Sequence, residues 1–318
     1  MSGLALRRLG ASGLGVSVVG VGCNNFGRRL DASGATRVVH AALDAGVNLF
    51  DTADIYGRGA SEEILGAALA DRRDRAVIAT KFGGAMSDAW GEGGASRRWI
   101  RLAVEASLRR LRTDWIDLYQ VHFPDPETPI DETLAALDDL VRAGLVRYIG
   151  SSNFAGWEIT DAEWTARTGH MSRFVSAQNR YNLLQRDVER EVAPACRRHD
   201  IGVIPYYPLA AGMLTGKYER HTPPPADTRL GRVPELAQGL LTERNFAIVD
   251  ALREYAAARH ITVLDVAIGW LAAQPQVASV IAGAMTPEQV HANVAAASWT
   301  PSAADLDELD RIAPPPAE

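Results

Sequence analysis

"NLFDTADIYGRGASEEILGAAL", residues 48 to 69, reads as a strand followed directly by a helix. The first six residues form a short run of the near-continuous apolar kind that a strand shows when a parallel sheet buries it on both faces. Ile64, Leu65, Ala68 and Leu69 then recur at helical spacing along one stripe. Ser61 ahead of Glu62 and Glu63 is the expected N-cap with first-turn acids. Asp51, Asp54 and Tyr56 stand at the junction, three polar groups where a buried strand runs out.

The same unit repeats along the chain. Strand-like runs lie at "SVVGVG" (17 to 22), "AVIATK" (76 to 81), "WIDLYQVH" (115 to 122), "VRYIGSSN" (146 to 153), "FVSAQNRYN" (174 to 182), "GVIPYYP" (202 to 208) and "SVIAGA" (279 to 284). Helical stripes fall between them, such as Ile100, Val104, Leu108 and Leu111, then Leu134, Leu137, Leu140 and Val141. Thr128-Pro129-Ile130-Asp131 places Pro at the expected first helical position. Eight strands, nearly all followed by a helix, predict a closed (β/α)8 TIM barrel in the α/β class. No Pro/Gly/Ser linker divides the chain, so residues 1 to 318 are read as one barrel domain.

Two segments depart from the alternation. Residues 4 to 15, "LALRRLGASGLG", predict an N-terminal β-hairpin able to plug the barrel bottom. Residues 216 to 244, with "HTPPPADTRLGRVPELAQG", are too long and Pro-rich for an ordinary connection and predict a lid, a binding loop or a disordered segment.

Composition narrows the partners. The 318 residues are 47% hydrophobic and 23% charged, with a net charge of -6. That balance offers no basic face to nucleic acid or to an anionic membrane surface, and no run of about 18 apolar residues suggests a spanning helix. Cys23 and Cys196 are too few for a disulfide framework and are read as buried thiols. A reducing cytoplasm and a small-molecule partner are expected.

A barrel of this kind carries its site at the C-terminal strand ends. There the sequence places Asp51, Lys81, His122, Ser152 and Asn153, with Gln178 and Asn179 in the sixth run and Tyr206 and Tyr207 near the end of the seventh. Each alone has an ordinary structural reading. Asp51, Tyr56, Lys81 and His122 arriving at one rim would perturb one another's protonation. Lys81 would favour the Tyr56 phenolate, Asp51 would hold Lys81 charged, and His122 could hydrogen-bond a carbonyl oxygen before Tyr56. Such a group suits proton delivery to a developing alkoxide, with hydride from a cofactor. Asp54 is read as the cap of the turn that aims Tyr56. "TPEQ" (286 to 289) fits a capping box, with Thr286 as N-cap, Pro287 at the first position and Gln289 reaching back, and presents a helix N-terminus suited to phosphate.

These segments resemble the aldo-keto reductases along nearly the whole chain, and in particular the branch related to potassium-channel β-subunits. "NLFDTADIYGRGASEEILGAAL", "VIATKFG" and "EASLRRLRTDWIDLYQVHFPD" are similar to the family's Asp-and-Tyr, Lys and His segments. "GLVRYIGSSNF", "YYPLAAGMLTGKY" and "GAMTPEQVHANVAA" also match. The resemblance implies a catalytic tetrad of Asp51, Tyr56, Lys81 and His122, with Tyr56 as general acid in reduction and general base in oxidation. It implies that Ser152, Asn153 and Gln178 hold the nicotinamide carboxamide, that Tyr206 stacks beneath the ring, and that Leu209, Gly212, Gly283, Gln289 and Asn293 contact the pyrophosphate or adenosine end. The segment after Lys217 resembles the loop that folds over the cofactor. The implied cofactor is NADP(H) ahead of NAD(H), with no metal, and the implied substrate is a carbonyl compound or its alcohol, sugars included.

Two features depart from the family pattern. Tyr207 stands where a Ser is common and would crowd the chain near the pyrophosphate. Gly283, Ala284, Met285 and Thr286 offer no cation where NADP-binding members carry Arg or Lys, leaving Arg229 or Arg232 as substitutes. Phe26, Trp90 and Phe123 are read as lining an apolar pocket over the nicotinamide, in loops that vary. A Rossmann enzyme is disfavoured because "GVGCNNFG" (20 to 27) spaces its glycines wrongly. Metal hydrolases lack an H-x-H or H-E-x-x-H pattern here, and a Lys81 Schiff-base lyase would leave the nicotinamide-type residues idle. The alternative function is a cofactor-binding regulatory subunit that senses redox state with little turnover.

Overall fold

The computed structural model describes residues 4–87 and 92–316. Two short strands, β1 (Leu6–Arg8) and β2 (Gly15–Ser17), pair antiparallel as the predicted hairpin. Strands and helices then alternate: β3 (Val19–Gly22), α1 (Ala32–Asp44), β4 (Leu49–Asp51), α2 (Ala60–Ala68), β5 (Val77–Phe82), α3 (Arg97–Leu111), β6 (Ile116–Val121) and α4 (Ile130–Arg142). The series continues with β7 (Val146–Ser152), α5 (Gly156–Thr168), β8 (Phe174–Gln178), α6 (Val192–His199) and β9 (Gly202–Val203). After β9 come α7 (Arg229–Arg232), α8 (Pro234–Leu240), α9 (Glu243–Ala258), α10 (Val263–Ala273), β10 (Val280–Gly283), α11 (Pro287–Ala296) and α12 (Ala303–Ile312).

The eight strands β3 to β10 are parallel, ordered β10-β3-β4-β5-β6-β7-β8-β9. The seam between the two ends is joined by hydrogen bonds from Val203 N to Gln276 O (2.7 Å), Ala278 N to Val203 O (2.9 Å) and Ile281 N to Pro205 O (3.2 Å). The architecture is the (β/α)8 barrel that the sequence predicts.

Side-chain parity decides what lies inside it. Leu49, Ala79, Leu118, Ile204, Ala278 and Ile281 form an inner apolar layer closed from below by Leu9 and Val16 of the hairpin. Phe50, Ile78, Phe82, Tyr119 and Val121, each one residue out of phase with that layer or with the polar one above it, belong to the cluster under the helices. Two residues on from Leu49, Ala79 and Leu118 come Asp51, Lys81 and Gln120, so strand alternation carries those polar groups into the barrel above its apolar floor.

Several local readings are corrected. Ser61 does not cap α2: Gly59, at φ 93°, takes that position, and the buried Ser61 hydroxyl donates to Cys23 O at 2.9 Å. Pro129 is the N-cap of α4, and its first helical residue is Ile130. Asn179 lies just past β8, and β9 is only two residues long because Pro205, without an N–H, and Tyr207, at φ 57°, take the chain out of the ladder. Residues 216 to 244 hold α7 and α8 rather than an unstructured loop. Both cysteines are free and buried. Among the described residues no single helix is long and apolar enough to cross a membrane.

Candidate active site

Asp51 ends β4, Lys81 lies at the end of β5, and His122 follows β6, so three neighbouring strands deliver three tetrad side chains to one rim. Tyr56 sits in the turn after β4. Its N–H donates to Ala53 O at 3.1 Å, and Asp54 tightens the same turn by accepting Ile55 N on Oδ1 at 2.7 Å. The Asp54 N–H in turn donates to Lys81 O at 3.2 Å, which ties the tyrosine turn to the lysine strand.

Lys81 has no solvent exposure. Its ammonium donates to both Asp51 carboxylate oxygens at 2.8 Å and to Thr52 O at 2.7 Å, and it also hydrogen-bonds the Tyr56 hydroxyl. Burial pulls its pKa down, but the Asp51 charge, with help from Tyr56, outweighs that and holds it above the ordinary lysine value. The ammonium lies 5.1 Å from the Tyr56 ring centroid. At Tyr56 the balance is reversed: burial raises the phenol pKa more than Lys81 and Asn24 lower it. The phenol therefore stays protonated through the neutral range, a correction to the expectation that Lys81 would bring its pKa below the ordinary tyrosine value.

His122 meets Tyr56 edge-on, with ring centroids 5.8 Å apart, and stacks on Phe123 at 4.3 Å. Burial, reinforced by the Lys81 charge, lowers its pKa to about 3. The imidazole is neutral at working pH, a hydrogen-bond donor rather than a second cation.

Ser152, Asn153, Gln178 and Tyr206 also gather here. Gln178 Nε2 donates to Asp51 Oδ1 at 2.8 Å, so this amide braces the carboxylate that holds Lys81. Ser152 Oγ donates to Gln178 O at 3.0 Å. Asn153, held at φ 61°, donates to His122 O at 2.9 Å and accepts the Tyr206 hydroxyl at 2.7 Å. Asn179, next along the chain, donates from Nδ2 to Phe154 O at 3.1 Å, and its buried Oδ1 has no partner among the described residues.

The residues expected on the phosphate side lie further round the rim. Leu209 precedes a 3-10 turn (Ala210–Thr215), and Gly212 within it adopts φ 95°, a conformation that glycine takes without strain. Gly283 ends β10 and is exposed, with no atom closer than 3.8 Å to the place a Cβ would occupy. Thr286 caps α11 with Pro287 at its first position, and Asn293 is buried one turn beyond Gln289. Gln289 does reach back, but its Oε1 accepts the N–H of Met285 at 2.7 Å, one residue before the cap. An accessible strand end and a capped helix N-terminus fit the phosphates of a dinucleotide, whose nicotinamide would supply hydride.

Sequence reasoning missed two features. Asn24 reaches Tyr56 from the loop after β3, and its only signal was the "CNNFG" loop at one more strand end. Behind the tetrad, fully buried Glu62 accepts Thr80 Oγ1 at 2.6 Å and Arg110 Nε at 2.7 Å. Asp54 faces Glu62; burial first and that neighbour second raise its carboxyl to about 7. Of the three aromatics expected over the nicotinamide, Phe26 is fully buried in the core, Phe123 is 44% exposed at the site, and Trp90 lies outside the described residues.

The model of the Aldo/keto reductase family matches residues 18–314. An uncharacterized oxidoreductase of Bacillus subtilis, YrpG, is 38% identical over 97% of this chain and 95% of its own length. A probable voltage-gated potassium channel subunit beta of Arabidopsis thaliana is 35% identical over 96% of this chain and 95% of its own. Versiconal hemiacetal acetate reductase of Aspergillus parasiticus is 36% identical, with 84% of this chain and 85% of that protein covered. With the strand-end constellation and barrel already described, the match over nearly the whole length means that this chain is an oxidoreductase of the aldo/keto reductase family.

Proposed function

We propose that the protein interconverts a small aldehyde or ketone, sugars included, and its alcohol, using a nicotinamide dinucleotide and Tyr56 as general acid/base. The observation that carries this reading is a buried phenol hydrogen-bonded to a fully buried ammonium that Asp51 neutralises. In the reducing direction the carbonyl oxygen lies before Tyr56 and accepts from the neutral His122 ring. The hydride for the carbonyl carbon would come from a bound nicotinamide. The Tyr56 proton passes to the oxygen, and the phenolate left behind is stabilised by Lys81. Asp51, braced by Gln178, keeps Lys81 charged throughout. Oxidation runs the same transfers backwards, with the phenolate as base.

Ser152, Asn153, Gln178 and Tyr206 would hold the nicotinamide end, and Leu209, Gly212, Gly283, Gln289 and Asn293 the phosphate and adenosine end. NADP(H) stands ahead of NAD(H) in this reading, with Arg229 as the available cation, and the cytoplasm is the proposed compartment. Titration with each dinucleotide separately, then oxidation of the reduced form against aldehydes, ketones and aldoses, tests the proposal. Turnover on at least one carbonyl is expected. Tight binding without turnover on any would favour the second reading, a redox-sensing regulatory subunit, which two relatives named as probable potassium channel β subunits favour.

A further inference from the structure

Tyr207, at φ 57°, is flanked by two guanidiniums. The Arg229 side chain donates to its hydroxyl and lies 4.6 Å from its ring centroid, while Arg180 approaches to 5.8 Å. Arg229 opens α7, in the strap that follows Lys217. Two residues before it, Asp227 O accepts Arg29 NH2 at 2.7 Å. Arg29 belongs to the loop after β3, and Tyr207 follows β9. In the barrel order β10 lies between those two strands. The strap is thus tied down on both sides of the end of β10, where Gly283 and the α11 N-terminus lie. Leu230, 1% exposed, anchors it one residue beyond Arg229. None of Arg29, Arg180 and Arg229 pairs with a carboxylate among the described residues.

We propose that Tyr207 is a positioning residue: it aims Arg229 across the barrel mouth and latches the strap, so that dinucleotide entry and release wait on breaking the Tyr207–Arg229 contact. The inference rests on the dinucleotide reading above. A Ser at 207 could not do this, because its hydroxyl is too close to the backbone to meet a strap-borne guanidinium and it offers no ring for the cation to cover. Tyr207 therefore turns a departure from the family pattern into a second point of control, separate from the proton chemistry at Tyr56.

Tyr207→Phe keeps the ring and removes the hydroxyl. Hydrogen–deuterium exchange of segment 219–241, measured without dinucleotide, is expected to quicken in Tyr207→Phe and in Arg229→Gln. Release of NADH, which carries no 2′-phosphate for Arg229 to hold, followed by stopped-flow displacement, is expected to be about tenfold faster in each, the scale of one hydrogen bond to a charged group. The double variant should be no faster than either single one, since the two residues form one contact, and Arg229→Lys should restore part of the slow release. A structural role alone would lower the urea midpoint and leave release unchanged. Exchange unaltered in both single variants overturns the latch, and quicker exchange with unaltered release overturns its gating of the dinucleotide. Wild-type protein that binds neither NADPH nor NADH overturns the proposed function itself, a result distinct from either.

Discussion

Tyr56 and Lys81 show how burial and charge divide one task. The lysine can be fully buried because Asp51, a backbone carbonyl and the Tyr56 hydroxyl together satisfy its ammonium. Lys81→Met would leave Asp51 as a buried carboxylate without its cation, and a loss of about 3–5 kcal/mol in urea unfolding is expected. His122 is held neutral by the same apolar surroundings, with its pKa near 3. No acidic limb from this histidine should therefore appear in the pH profile of kcat at mildly acidic or neutral pH; an inflection there that His122→Gln removes would contradict the assignment. Asp54 behaves in the opposite way. Its folded pKa is raised from 3.8 to about 7, so the folded state keeps a proton that the unfolded chain gives up, and stability falls as pH rises between those values. The whole effect amounts to about 4 kcal/mol. Asp54→Asn should be spared this fall, and the gap in urea midpoint between it and wild type should widen from about pH 5 to about pH 8.

At the scale of elements, glycine positions separate packing from propensity. A Cβ on Gly66 of α2 would lie 2.4 Å from the backbone oxygen of Leu111 at the end of α3. Gly66→Ala is expected to destabilise by about 1–3 kcal/mol, despite the better helix propensity of Ala. Gly239 in α8 meets nothing within 4 Å, so Gly239→Ala should stabilise by up to about 1 kcal/mol. Urea unfolding of both variants checks the pair of opposite signs. Barrel strands were legible because each carries a compact apolar run between turn signals. Helix starts were less so: Ser61 has the chemistry of a cap, yet its hydroxyl is used across elements on Cys23, and Gly59 makes the turn with a left-handed backbone. The four-residue α7 lacks an amphipathic repeat, which hid it among the prolines.

For the whole molecule, the decisive feature is parity around a closed sheet. Strand alternation carries Asp51 and Lys81 inside above an apolar floor, and a hairpin seals that floor from below. Sequence order made this barrel and its four rim residues readable, because a polar residue ending an apolar run has few other reasons to be there. Contacts between distant segments left no such mark. The Gln178–Asp51 bond joins residues 127 positions apart, and the strap ties Arg29–Asp227 and Tyr207–Arg229 arise only once the barrel has brought its ends together.

The central claim is that Tyr56 gives the proton in carbonyl reduction. Its most direct test is the single-turnover oxidation of bound reduced dinucleotide by a reactive aldehyde, measured in wild type and in Tyr56→Phe. The account predicts a loss of at least about 100-fold in that rate, with the dinucleotide dissociation constant unchanged, because the residues proposed to hold the dinucleotide are untouched. Comparable single-turnover rates in the two proteins would contradict it.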